Sequence, residues 1–184
     1  MIHSKFLVAA SFAAISIPAA AAVTVIGPSS ARLCYEAAEA RSPAPSALEW
    51  CDRALAEDVI TRTDEVATFV NRGILKLRSG KVEESIADFD AALALDRDEP
   101  EAYLNKGMAF LHTPARAEEA IVLFDEALAR KTRRPAIAHY GRAIAHEARG
   151  RVKEAYLDYR EASRLEPKWN EPKIELGRFR VRSG

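Results

Sequence analysis

The sequence predicts an all-α fold of stacked antiparallel helix pairs, and three observations carry that prediction. Phe69-Val70-Asn71-Arg72-Gly73-Ile74-Leu75 returns 34 residues later as Tyr103-Leu104-Asn105-Lys106-Gly107-Met108-Ala109, then more altered as His139-Tyr140-Gly141-Arg142-Ala143-Ile144-Ala145. A second block follows each: Phe89-Asp90-Ala91-Ala92-Leu93, Phe124-Asp125-Glu126-Ala127-Leu128 and Tyr159-Arg160-Glu161-Ala162-Ser163, each 35 residues from the last. Both blocks space their apolar residues at helical period, as in Tyr103, Gly107 and Phe110 or Ala120, Phe124 and Ala127. Between the two blocks stand Ser79-Gly80, Thr113-Pro114 and Arg149-Gly150, residues that interrupt helices.

Composition agrees. Apolar residues make up 48% and charged residues 29% of the chain, a globular rather than disordered balance. The 27 basic and 27 acidic residues cancel, so the basic excess of a nucleic-acid binder is missing and no such partner is expected. Alanine, leucine, glutamate and arginine dominate, which favours helices.

The N-terminus follows a different rule. Lys5 precedes an apolar run from Phe6 to Ile17, Pro18 breaks it, and Ala19 to Ala22 supply a small-residue cleavage site. That order is the layout of a secretory signal peptide, expected here over residues 1–22 with cleavage after Ala22. The alternative is an uncleaved anchor, but a run of about 12 residues is too short to cross a hydrocarbon core ~30 Å thick. No stable membrane span is expected after cleavage, and the periplasm or the exterior is the expected location. A lipoprotein would need a cysteine directly after the apolar run, and the first is Cys34.

The blocks resemble the tetratricopeptide-repeat (TPR) pattern: an aromatic residue, glycine four later, then alanine, aromatic and alanine on the second helix, and a closing proline as in Asp98-Glu99-Pro100 or Glu166-Pro167. The resemblance implies a right-handed superhelix in which small residues (Gly73, Gly107, Ala143) let paired helices approach and aromatics fill the gaps. It departs from the pattern at Pro114, which replaces the turn glycine, at Ser85, where alanine is usual, and at Arg72, Lys106 and Arg142, where many repeats carry leucine. Three repeats are expected at 64–99, 100–135 and 136–169, after a degenerate helix pair at 29–60 and before a capping helix at 170–182.

In that register Cys34 lies on the first helix of the degenerate pair and faces Cys51 on the second, across a Ser42-Pro43-Ala44-Pro45 turn. An even cysteine pair in an exported chain points to a disulfide. It would close a loop of about 18 residues and stabilise by ~3 kcal/mol on the chain-entropy argument. The alternative is two buried free thiols.

TPR superhelices usually hold partners along the concave face formed by the first helix of each repeat. The matching places here are Val70, Asn71, Ile74 and Leu77, then Leu104, Asn105, Met108 and Leu111, then Tyr140 and Ile144. They form a mostly apolar stripe with two amides, suited to a protein or peptide partner with hydrophobic anchors. The competing readings are packing between repeats, cover by the protein's own segment, and a homodimer contact in a structural envelope protein. The Lys/Asn/Arg carboxylate clamp of chaperone-binding repeats is not expected, because only Asn105 fits it.

Catalytic chemistry is not expected. His146-Glu147-Ala148-Arg149-Gly150 lacks the second histidine of a zinc-protease helix, and His139 and His146 occupy aromatic places where packing explains them. No nucleophile elbow, phosphate loop or dinucleotide fingerprint is present. The Asp88/Asp90 and Asp125/Glu126 pairs read as a solvated outer face. Neither catalytic residues nor a metal nor a cofactor are expected.

Overall fold

A computed structural model describes residues 28–40, 45–56 and 59–179. The signal segment 1–22, most of the turn at 42–45, and Arg180 and Arg182 of the expected cap lie outside the described residues. Among the described residues the secondary structure is helical: α1 (Ser30–Glu39), α2 (Ala47–Ala56), α3 (Arg62–Arg78), α4 (Val82–Leu95), α5 (Pro100–Phe110), α6 (Ala117–Ala129), α7 (Pro135–Ala148), α8 (Val152–Leu165) and α9 (Glu171–Leu176), with one 3-10 turn at Pro114–Arg116.

Local chemistry starts and stops these helices. Ser29 and Thr61 cap α1 and α3 by accepting from the Arg32 and Asp64 amides, and Pro100 and Pro135 open α5 and α7 where no N–H is needed. The chain leaves α3 and α7 through Gly80 and Gly150, both at positive φ. Lys81 N–H then closes on Lys76 O, and Arg151 N–H on His146 O, each at 2.9 Å. The same motif ends α6, but there the left-handed residue is Lys131, at φ 62°.

Each first helix packs on its own second helix and on the first helix of the next repeat: α1 on α3, α3 on α5, α5 on α7. The odd-numbered helices therefore form the inner layer and α2, α4, α6 and α8 the outer one. Phe89, Phe124 and Tyr159 point inward from the outer layer and are essentially fully buried. Phe124 is wedged between two backbones: a methyl added at Gly107 would come within 2.9 Å of its ring, and one at Gly141 within 2.4 Å. Ala143 lines the cluster that receives Tyr159.

The basic residues that depart from the repeat pattern tie the layers together. Arg72 spans Asp88 of its own repeat and Asp52 of the preceding one, both at 2.7 Å. Arg142 does the same with Asp158, at 2.7 Å, and Asp125. Lys106 reaches back to Asp90 but finds Leu123 at the forward place. Asp88 is only 3% exposed, so the expectation of a solvated outer face fails for it and holds for Asp90 and Asp125; Asp158, its counterpart in the third repeat, is buried likewise at 6%. The spacing placed them on the outer helix but could not show that a basic residue reaches over from the inner one.

At the N-terminal end a Cys34–Cys51 disulfide joins α1 to α2, with both sulfurs wholly buried. At the other end α9 stops at Leu176 instead of continuing to 182. The chain turns at Gly177, and Phe179 folds back against the Tyr156 and Tyr159 rings.

Candidate functional site

The inner layer bears a cavity of about 160 Å³ lined by Tyr35 and Glu39 of α1, Ala67, Val70, Asn71 and Ile74 of α3, Glu99, Glu101 and Asn105 around α5, and Arg133 and Arg134 ahead of α7. A second, more open hollow continues from it past Tyr35, Ala67 and Asn71 to Val59 and Ile60. A half-open hollow of this size receives one or two side chains of a longer ligand.

Four of the ten stripe residues meet at the cavity: Val70, Asn71, Ile74 and Asn105. Val70 is 5% exposed and presents an edge while packing with Val66, Ala92 and Ala102. Leu104, 1% exposed, lies inside the central core, with Leu77, Met108 and Leu111 packed against the same cluster. Tyr140 lies against Trp169 and Tyr159, and Ile144, like Leu176 and Phe179, packs against the Ala143, Ala155 and Tyr159 cluster. The stripe is thus divided: Leu104 is buried in the core, while Leu77, Met108, Leu111, Tyr140 and Ile144 are partly buried against neighbouring repeats and the C-terminal segment, since packing apolar side chains removes them from water.

Polar groups replace them. Asn71 is 8% exposed, opens on both hollows, and its side chain has no hydrogen-bond partner among the described residues. Asn105 spends its amide N–H on Glu101 O at 2.8 Å. The buried Glu101 carboxylate accepts from Thr132 Oγ1 at 2.9 Å and from Arg133 N–H at 2.8 Å, which fixes the loop between α6 and α7 as a wall. Glu99 caps α5 through the Glu101 N–H; burial, then the Glu101 charge, pushes its carboxyl above the ordinary range despite that bond. Across the mouth, Arg134 Nη2 donates to Glu39 Oε1 at 2.8 Å, linking α1 to the start of α7.

Tyr35, Glu39, Arg133 and Arg134 were not legible as site residues. The first two sit on the degenerate repeat, whose register is weak, and the arginines stand in a loop that carries no periodic signal. Arg78, at the end of α3, donates to Ala38 O and Ala40 O and pins the end of α1.

His139 and His146 converge on a carboxylate rather than packing in apolar surroundings. His139 Nδ1 lies 2.8 Å from Asp158 Oδ1, and His146 Nε2 lies 3.8 Å from Asp158 Oδ2. His146 Nδ1 is buried without a hydrogen-bond partner among the described residues, and burial above all lowers that imidazole's pKa.

A family model described as tetratricopeptide repeat matches residues 70–135 and 115–168, together more than half of the chain. No curated protein sequence matches it. Among solved structures, the Arabidopsis OM64 TPR domain superposes with a TM-score of 0.60 at 22% identity, over 64% of this chain and 96% of that one. The first TPR of Spaghetti (RPAP3), bound to the HSP90 peptide SRMEEVD, gives 0.59 at 22% identity over 65% and 94%. MamA from Desulfovibrio magneticus RS-1 gives 0.64 at 18% identity over 82% and 83%. At these identities the likeness is one of fold.

Proposed function

The chain belongs to the tetratricopeptide-repeat family, and on that premise we propose that it is an exported adaptor that holds an extended segment of a partner protein on the inner face of α3 and α5. The observation that carries this reading is Asn71. The residue is only 8% exposed, its amide opens on the hollow without a partner among the described residues, and the main chain of a bound peptide supplies both a donor and an acceptor. An apolar side chain of the ligand enters the cavity against Val70 and Ile74, while Glu39, Glu99, Arg133 and Arg134 select charge along the rim. The peptide bound by the Spaghetti domain supports this use of the fold. Export to the periplasm or the exterior is supported by the layout of residues 1–22 and by the disulfide, which persists in oxidising compartments.

The test is selection of heptapeptides from a random displayed library on the oxidised protein, followed by affinity measurement on variants. Asn71→Ala is expected to weaken selected peptides about tenfold, the equivalent of ~1.4 kcal/mol, with unchanged melting. Selected peptides that bind Asn71→Ala and Ile74→Glu as well as the parent would remove the groove from consideration. Light scattering on the same samples reads out the competing homodimer.

A further inference from the structure

We propose that the Cys34–Cys51 disulfide is a redox gate: its reduction melts α1 and α2 as a unit and removes one wall of the groove while the three full repeats stay folded. The inference adds regulation to the groove described above and rests on the same cavity. Two features of the fold lead to it.

Apart from the cross-link, the N-terminal pair is held by a small core and by polar ties from Arg78 to Ala38 O and Ala40 O, Arg72 to Asp52 and Arg134 to Glu39. Its core comprises Cys34, Ala37, Ala38, Ala47 and Cys51 with Leu75 of α3, and Leu48 and Trp50 at the margin. The central cluster, by contrast, buries Phe89, Leu104, Phe110, Ile121 and Phe124. Small side chains remove little apolar area from water, so the cross-link supplies a large share of this pair's stability. In a repeat stack each unit is stabilised mainly by its neighbours, so a terminal pair can open without the rest.

The same pair builds the site. Tyr35 directly follows Cys34, and Glu39 ends α1; both line the cavity, and Glu39 bridges to Arg134 across its mouth. With α1 gone, the cavity loses that wall and Arg134 loses its partner. Reduction needs a dithiol. Its thiolate attacks one sulfur to form a mixed disulfide, the second thiol displaces it, and the products are the oxidised dithiol and two protonated cysteines. Both sulfurs have zero exposure, so attack follows local opening of the pair. A chain whose cysteines are still reduced therefore has no complete groove, and oxidation assembles it.

Hydrogen exchange by mass spectrometry on the full chain tests the gate without any ligand, comparing oxidised protein, protein reduced with dithiothreitol, and the same sample reoxidised. Amides of Ser30–Glu39 and Ala47–Ala56 are expected to lose roughly 100-fold in protection on reduction and to recover on reoxidation, while α4 to α8 stay protected. Cys34→Ser/Cys51→Ser is expected to copy the reduced form. Retained protection in α1 and α2 after reduction overturns the proposal, and so does simultaneous loss across all repeats, which makes the bridge a global staple. Peptides selected on the oxidised protein add a second reading: unchanged affinity after reduction also overturns the gate, whereas a failed selection counts against the groove and leaves the exchange result to decide the gate.

Discussion

Substituting Gly141 by alanine sets two effects of opposite sign against each other. Gly141 lies inside α7, where glycine to alanine normally stabilises by about 1 kcal/mol through helix propensity. The added methyl, however, would lie 2.4 Å from Phe124 Cζ, 2.7 Å from Cε1 and 3.1 Å from Met108 Sδ. Carbon atoms rest about 3.5–4.0 Å apart, so the ring must retreat by roughly 1 Å. It has nowhere to go: Phe124 is wholly buried, and the Gly107 backbone closes the other face. Overpacking of this kind costs about 1–3 kcal/mol, and the contact here belongs at the upper end. The net expectation is destabilisation by about 1–2 kcal/mol, a fall in Tm of roughly 3–6 °C for a chain of this size. Urea denaturation followed by circular dichroism measures it, compared at constant m. A double-mutant cycle locates the cause: in a Phe124→Leu background the alanine is expected to be neutral or stabilising. A Gly141→Ala protein more stable than the parent, or a penalty that persists in the Phe124→Leu background, would refute the wedge.

Three further predictions concern charge and backbone. Asp158→Ala is expected to cost about 3 kcal/mol, since it leaves Arg142 and His139 without their buried partner, whereas Asp125→Ala costs less than about 1 kcal/mol; paired thermal melts compare them. Stability is expected to decline as pH falls below the ordinary imidazole range, because the unfolded chain takes up a proton that folded His146 resists; the loss levels off once pH passes the depressed folded value. His146→Gln is expected to flatten that part of a Tm-against-pH curve, and an unchanged slope rules out the assignment. Lys131→Gly is expected to stabilise by about 1 kcal/mol, read from urea midpoints, because it relieves a left-handed residue at the end of α6.

The sequence alone determined the repeat and the helix pairs, because each depends on local chemistry that recurs, whereas the cysteine pair pointed to a disulfide and left two free thiols as the alternative. A period of 34 to 36 residues, glycines four after aromatics, and prolines at helix starts are all written along the chain. Tertiary structure alone decided which inner-face residues meet a ligand. Val70 and Leu104 occupy repeat-equivalent places, yet one edges a cavity and the other is sealed in the core, since exposure depends on what the neighbouring helix brings against it. Tyr140 and Ile144 fit the groove register, but Trp169 lies against Tyr140, and both join a cluster that Leu176 and Phe179 reach from the C-terminal end. Glu39 and Arg134, 95 residues apart, carry no mutual signal in the sequence and meet only because the stack curves. Helix formation is a short-range property, whereas a groove is made by surfaces that residues far apart in the chain leave uncovered.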